Sequence, residues 1–245
     1  MGINYPINLN LANKKVVIIG GGKIAERKTK NLIPTGAHIT VVSPELTAKL
    51  AQMAEENLLT WKNKTFAPDD LKKAIIVIAA TNHPETNLLV KKSASKNQLV
   101  SLVDNPEQSD FQTPTVLRRG KLAIAVSTSG ASPLLAKKIH KQLEATFDET
   151  YEEYLEFLFN CRKIILEKVE DNATKHQLLT EIVNSRYLES KNRQQEFQLL
   201  IEKVLSESEN DQLQDLTKEV HLKQTVVHTE KKTLASFERK EDNNN

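Results

Sequence analysis

Three small residues, Gly20, Gly22 and Ala25, stand at the spacing GxGxxA directly after the apolar run VVII of residues 16–19. Each type has a physical reason to be there. A glycine at 20 permits a tight strand-to-helix turn, a glycine at 22 lets the backbone approach a pyrophosphate, and an alanine at 25 lets a helix lie close on a sheet. The N-terminus of that helix, at Lys23, Ile24 and Ala25, offers free N–H groups and a positive dipole end to phosphates. The motif alone is weak. Placed between a buried strand and a helix, with another strand ending about 20 residues later, it signals dinucleotide binding.

The second strand ends at Ser43, Pro44 and Glu45, where an acidic residue usually binds the adenosine ribose. Ser43 can bond a ribose hydroxyl without repelling a 2′-phosphate, so NAD and NADP both stay open. The lack of a nearby basic pair leans to NAD. Thr81 and Asn82 end a fourth apolar run and, with Asn87, are placed to line a cofactor crevice at the carboxyl ends of the strands. They read equally as a turn, with Asn87 as a helix cap. Val103 and Asp104 end a fifth run beside the expected nicotinamide pocket. From the residues alone, Asp104 is as readily an Asx-turn residue before Asn105-Pro106. Asp110 reads as a solvated loop charge.

The elements that position these residues alternate. Strands are expected at 16–19, 38–42, 59–62, 74–80 and 99–103. Helices are expected at 23–33, 45–57 and 87–95, with a helical turn at 69–73. Ile24, Ala25 and Leu32 are expected toward the sheet. The pattern predicts an α/β, Rossmann-type doubly wound parallel sheet over residues 1–113. It then changes. Runs at 115–117 and 122–127 read as a β-hairpin with Arg118, Arg119, Gly120 and Lys121 at its tip. A helix opens with Ser132 as N-cap and Pro133 at its first position. This hairpin-helix segment spans 114–146. Residues 147–208 read as a helical domain whose Tyr151, Tyr154, Phe157 and Phe159 pack its core. Residues 209–245 are polar and expected to be disordered.

The bulk numbers exclude several classes. The 245 residues carry a net charge of +2, so no whole-protein field favours nucleic acid. Hydrophobic residues at 39% and charged residues at 27% suit a soluble globular chain. Cys161 is the single cysteine, which rules out an internal disulfide or a multi-cysteine zinc site and fits the cytoplasm. His38, His83, His140, His176, His221 and His228 form no HxxxH spacing, and no metal site is expected. No run reaches the ~20 apolar residues of a membrane span. No signal peptide is expected, and Pro6 spoils a myristoylation signal.

Taken together, several segments look familiar: VVII with GGGKIAERK (20–28), AIIVIAATN (74–82) with Asn87, LVDNP (102–106), FQTP (111–114) and AVSTSGASP (125–133). In this order and spacing, the chain resembles the precorrin-2 dehydrogenase family, the N-terminal part of siroheme synthase. The resemblance implies NAD-dependent oxidation of precorrin-2 to sirohydrochlorin, with Asp104 as general base. It implies a homodimer in which the segment after residue 113 exchanges contacts with the partner. Some relatives also insert ferrous iron, and the same aspartate is thought to serve chelation, so a bifunctional dehydrogenase and ferrochelatase is the alternative. Others add a methyltransferase module, for which this length is too short.

The implied substrate is a polycarboxylate and needs cations. Arg118, Arg119 and Lys121, with Lys137, Lys138 and Lys141, are the candidates; each also reads as a solvated surface charge. Thr128 could bond substrate or serve a turn. A dinucleotide-sensing regulatory module is the alternative of another class, against which the LVDNP and AVSTSGASP segments count. Composition and periodicity alone stop at a Rossmann domain followed by helices.

Overall fold

The computed structural model describes residues 4–207. The expected disordered tail at 209–245 lies outside the described residues. The chain divides into two compact units. One holds the residues up to Pro114 together with Ser127–Pro133; the other holds Thr115–Val126 and the residues from Leu134 on.

In the first unit, strands β1 (Lys15–Ile19), β2 (His38–Val42), β3 (Thr60–Lys62), β4 (Ile76–Ala79) and β5 (Leu99–Leu102) pair in parallel, in the order β3-β2-β1-β4-β5. Helices α1 (Lys23–Leu32), α2 (Ala48–Glu55) and α3 (Pro84–Ser93) join them. The strand order reverses between β1 and β4, which is where such sheets bind ligands. Side chains alternate across the sheet. Val16, Ile18, Ile39, Val41, Ile76 and Ile78 share a cluster with Ala25 of α1 and Leu50 of α2. Val17, Ile19, Val42, Val77, Val100 and Leu102 share the other with Val90 of α3. Burial on both faces explains the unbroken apolar runs.

Three expectations need correction. Ile24 is 40% exposed, because the buried stripe of α1 runs through Ala25, Thr29 and Leu32 and a helix turns about 100° per residue. Helix α2 begins at Ala48, not 45, since the residues before it form a loop closed by Thr47, whose side chain accepts from Leu50 N–H. Helix α3 begins at Pro84, so Asn87 lies inside it and is not its cap.

Asp110 is exposed, as expected of a loop charge, but it is not unengaged. Its carboxylate accepts from Val100 N–H at 2.8 Å and from Lys91 Nζ at 2.6 Å, and its own N–H donates to Val100 O at 2.8 Å. Ser109 Oγ accepts from Leu102 N–H at 2.8 Å. β5 is an edge strand, and these residues occupy donors that would otherwise invite another strand.

Near the opposite edge, Asp70 is a buried ion-pair centre. Its buried carboxylate bonds Lys62 at 3.0 Å, Lys64 at 2.8 Å and the N–H of Ala67 at 3.0 Å. Burial alone would raise its pKa; the bonds from Lys64, Lys62 and Ala67 outweigh burial and hold it below the usual aspartate value. The folded chain therefore binds this proton less readily than the unfolded chain. The stabilisation is complete above about pH 4 and is lost as pH falls through the lower folded value. We expect Asp70→Asn to cost about 2 kcal/mol at neutral pH, and to flatten the loss of stability below about pH 4. Denaturant unfolding across pH checks this; equal stability of the two proteins at pH 7 would refute it.

In the second unit, β6 (Thr115–Arg119) and β7 (Leu122–Val126) pair antiparallel, with Arg119 opposite Leu122. The turn is therefore only Gly120-Lys121, and Gly120 has the positive φ of 52° that a two-residue hairpin demands. Arg118 and Arg119 lie within β6, not at the tip. Helices α4 (Pro133–Thr146), α5 (Thr150–Lys168), α6 (Asn172–Glu181) and α7 (Ser185–Glu189) follow, and residues 193–207 are helical. Tyr154, Phe157, Cys161 and Ile165 of α5 pack with Leu178, Ile182, Tyr187, Phe197 and Ile201. Phe159, expected in this core, is 52% exposed, with Lys121 Nζ 4.2 Å above its ring. Burial pushes the Cys161 thiol up to about 12. Among the described residues, no helix is long and apolar enough to cross a membrane.

Candidate dinucleotide site

The three consecutive glycines do three different things. Gly20 has φ of 113°, and a Cβ there would lie 2.4 Å from the carbonyl oxygen of Ala80. A Cβ on Gly21 would lie 1.9 Å from the carbonyl oxygen of Glu45 and 2.8 Å from Ser43 Oγ. A Cβ on Gly22 would meet nothing within 4 Å. The first two are thus required by the protein's own backbone, while the third faces open space. The sequence reading missed Gly21. The signal was available, because GxGxxA uses only two members of a run of three.

Gly22 precedes α1 without a side-chain cap, and the first bond there runs from Glu26 N–H to Gly22 O at 3.0 Å. The N–H groups of Lys23, Ile24 and Ala25 therefore have no acceptor within the helix. An exposed glycine, no competing cap and three free donors fit a pyrophosphate.

The loop after β2 is tied to this corner. Thr47 N–H donates to Gly21 O at 2.9 Å, and Thr47 Oγ1 donates to Glu26 Oε2 at 2.9 Å. Hydrogen bonds from Lys30 and then Thr47 hold the Glu26 carboxyl below its usual range. Ser43 is buried, and its carbonyl accepts from Trp61 Nε1 at 2.9 Å. Pro44 and Glu45 are exposed beside it.

The loop after β4 is folded by Asn87, which is 1% exposed. Its Oδ1 accepts from Thr81 N–H at 3.2 Å and from Thr81 Oγ1 at 2.7 Å, and its Nδ2 donates to Thr81 O at 3.2 Å. Both Thr81 and Asn87 are therefore occupied in shaping the loop, and Asn82 is exposed at its rim. After β5, Val103 N–H donates to Ala79 O at 3.1 Å, which keeps it in line with the sheet. Asp104 follows and is exposed. Asn105, not Asp104, closes the next turn by accepting from Gln108 N–H at 3.2 Å. Among the described residues, Asp104 makes no hydrogen bond or ion pair. Its carboxylate is left for other work.

Parallel topology thus brings Gly20 to Ala25, Ser43 to Glu45, Thr81 with Asn82, and Val103 with Asp104 to one carboxyl edge of the sheet. Thr128 Oγ1 accepts from Ser132 N–H at 3.1 Å, which leaves its O–H free to donate among the described residues. Arg118, Arg119 and Lys137 belong to the second unit. Arg119 Nη1 donates to Arg118 O at 2.9 Å, and its Nε is buried without a partner among the described residues.

A doubly wound parallel sheet with this glycine corner defines a Rossmann-type, dinucleotide-binding protein. A family model described as putative NAD(P)-binding matches residues 7–115, one described as sirohaem biosynthesis protein central matches 119–146, and one described as SirC C-terminal domain matches 151–197. The precorrin-2 dehydrogenase of Priestia megaterium is 37% identical over 199 residues, covering 81% of this chain and 98% of that protein. The precorrin-2 dehydrogenase of Bacillus subtilis (strain 168) is 37% identical over 158 residues, 64% of this chain and 98% of its own. A siroheme synthase of Xylella fastidiosa (strain M12) is 39% identical over 149 residues, but these are only 31% of its length. The solved structure of SirC, a precorrin-2 dehydrogenase, superposes with a TM-score of 0.72 at 37% identity, covering 82% of this chain and all of that one. The chain belongs to the precorrin-2 dehydrogenase family.

Proposed function

We propose that this chain oxidises precorrin-2 to sirohydrochlorin with NAD, and that Asp104 is the general base. The observation that carries the base assignment is the free, exposed carboxylate of Asp104 at the same sheet edge as the open corner at Gly22. The reading of the reaction rests on likeness to precorrin-2 dehydrogenases over nearly their whole length.

NAD, when bound, supplies the hydride acceptor. The N–H groups of Lys23, Ile24 and Ala25 hold its pyrophosphate, with Gly20 and Gly22 allowing the close approach. Ser43 bonds a ribose hydroxyl, with Pro44 and Glu45 beside it. Thr81, Asn82, Asn87 and Val103 shape the pocket for the nicotinamide end. Dehydrogenation removes a hydride and a proton from the substrate, and Asp104 takes the proton. Arg118, Arg119 and Lys137 are the cations we assign to substrate carboxylates, with Thr128 as a hydroxyl contact.

The functional divisions are 1–113 for NAD, 114–146 for dimerisation and 147–208 for the helical domain. The protein acts as a cytoplasmic homodimer. Anaerobic addition of precorrin-2 and NAD, followed by the absorbance of NADH, tests the reaction. NADH should accumulate in proportion to substrate. A folded, NAD-binding protein that makes none would overturn the reading and leave nucleotide sensing.

A further inference from the structure

Lys28 is a cation of the first unit that packs against the segment after β5. It sits half-buried on α1, and its Nζ donates to Thr113 Oγ1. Among the described residues, no carboxylate pairs with it. Burial, and then the like charge of Arg27, lower its ammonium pKa. Partly buried ammonium groups are normally paired, because desolvation is otherwise uncompensated.

The geometry of α1 says which way Lys28 faces. The helix buries Ala25, Thr29 and Leu32 against the sheet. On one flank of that stripe, Glu26 bonds Thr47 at the start of α2. Ile24 and Lys28, four residues apart and hence neighbours on the helix surface, occupy the opposite flank. Since α1 and α2 share one face of the sheet, this flank looks toward the β4–β5 half. There α3 packs on the other face. What covers the near face is the segment that starts at Asp104. It is pinned through Ser109 and Asp110, places Phe111 in the cluster of α1, and ends with Thr113 on Lys28. A half-exposed isoleucine and an unpaired ammonium therefore lie on the same half of the sheet as the free carboxylate.

We infer that Lys28, aimed by Thr113, binds a carboxylate of the tetrapyrrole substrate, and that Ile24 offers apolar surface to the adjoining ring. This rests on the tetrapyrrole reading above and adds to it a subsite on the nucleotide-binding unit itself. An ammonium suits a peripheral acid arm whose position varies, as a point charge on a flexible stem.

Two measurements on the full chain test it, with wild type, Lys28→Met, Lys28→Arg and Thr113→Val compared. In steady-state turnover at saturating NAD, Lys28→Met should raise KM for precorrin-2 by about tenfold or more, with kcat changed far less and Kd for NAD unaltered. Lys28→Arg should recover most of the loss, and Thr113→Val should fall between. Separately, binding of the fluorescent polycarboxylate uroporphyrin is followed by anisotropy without NAD. Lys28→Met should weaken it about tenfold and reduce its salt dependence. Equal KM and equal uroporphyrin affinity in wild type and Lys28→Met would overturn the proposal, as would a wild type that binds no uroporphyrin. A wild type that binds uroporphyrin through Lys28 yet makes no NADH would sustain this subsite while removing the dehydrogenase reading.

Discussion

Replacing Asp104 with alanine is expected to lower kcat for NADH formation by about 1,000-fold. The affinity for NAD and the thermal midpoint should stay at wild-type values. The expectation follows from what Asp104 does not do. The turn that follows it is closed by Asn105, the edge of β5 is protected by Ser109 and Asp110, and Asp104 is exposed with no hydrogen bond or ion pair among the described residues. Removing a carboxylate with no structural duties leaves the fold alone. Proton transfer to a positioned base typically contributes 10²–10⁴ in rate. Single-turnover kinetics on Asp104→Ala and Asp104→Asn, beside calorimetric titration with NAD, measure both sides. A rate within fivefold of wild type would discard Asp104 as the base and leave the enzyme reading intact. Loss of NAD binding or of stability would instead make it a structural residue.

The second large effect separates two adjacent glycines. Gly21→Ala should lower NAD affinity by at least about 100-fold and destabilise the chain by about 3 kcal/mol. Its Cβ would sit 1.9 Å from a backbone carbonyl, that of Glu45, which no rotamer change can relieve. The loop carrying Ser43 and Glu45 must move, and the bond from Thr47 N–H to Gly21 O is pulled with it. Gly22→Ala should leave stability within about 1 kcal/mol. Its φ of −85° suits alanine, and its Cβ points into open space. If that space takes the pyrophosphate, as proposed, NAD affinity should still fall by about tenfold or more. Thermal unfolding and calorimetric titration of the two variants decide it. Equal destabilisation by both would mean that Gly22 is a packing glycine, and that the open corner is not the cofactor's.

Much of this was legible along the chain. Residues 16–25 announce a buried strand, a glycine turn and a close-packed helix, because each of those properties is set by a residue and its immediate neighbours. The alternation of apolar runs with helical stretches fixes the doubly wound sheet for the same reason. Asp104 could be read as a base only through the resemblance; its own neighbours left an Asx turn equally open. The structure moved that turn to Asn105. Gly21 could be counted but not explained, since the atom that forbids a side chain there belongs to Glu45, on a loop beyond the next strand.

What the sequence by itself determined is the order and type of the elements in the first unit, and hence which loops gather at one edge of the sheet. Period-2 and 3.6-residue patterns are local and survive without knowledge of partners. What only the tertiary structure decided is what each polar side chain is free to do. Asp110 turned from a solvated charge into an edge guard, Asn87 from a cap into the brace of a loop, and Arg118 and Arg119 moved from a tip into a strand. Ile24 turned outward, and Lys28 found Thr113 with no acid paired to it among the described residues. These outcomes depend on hydrogen bonds and burial between residues far apart in sequence, and a donor's partner across such a distance leaves no trace in the spacing of its neighbours.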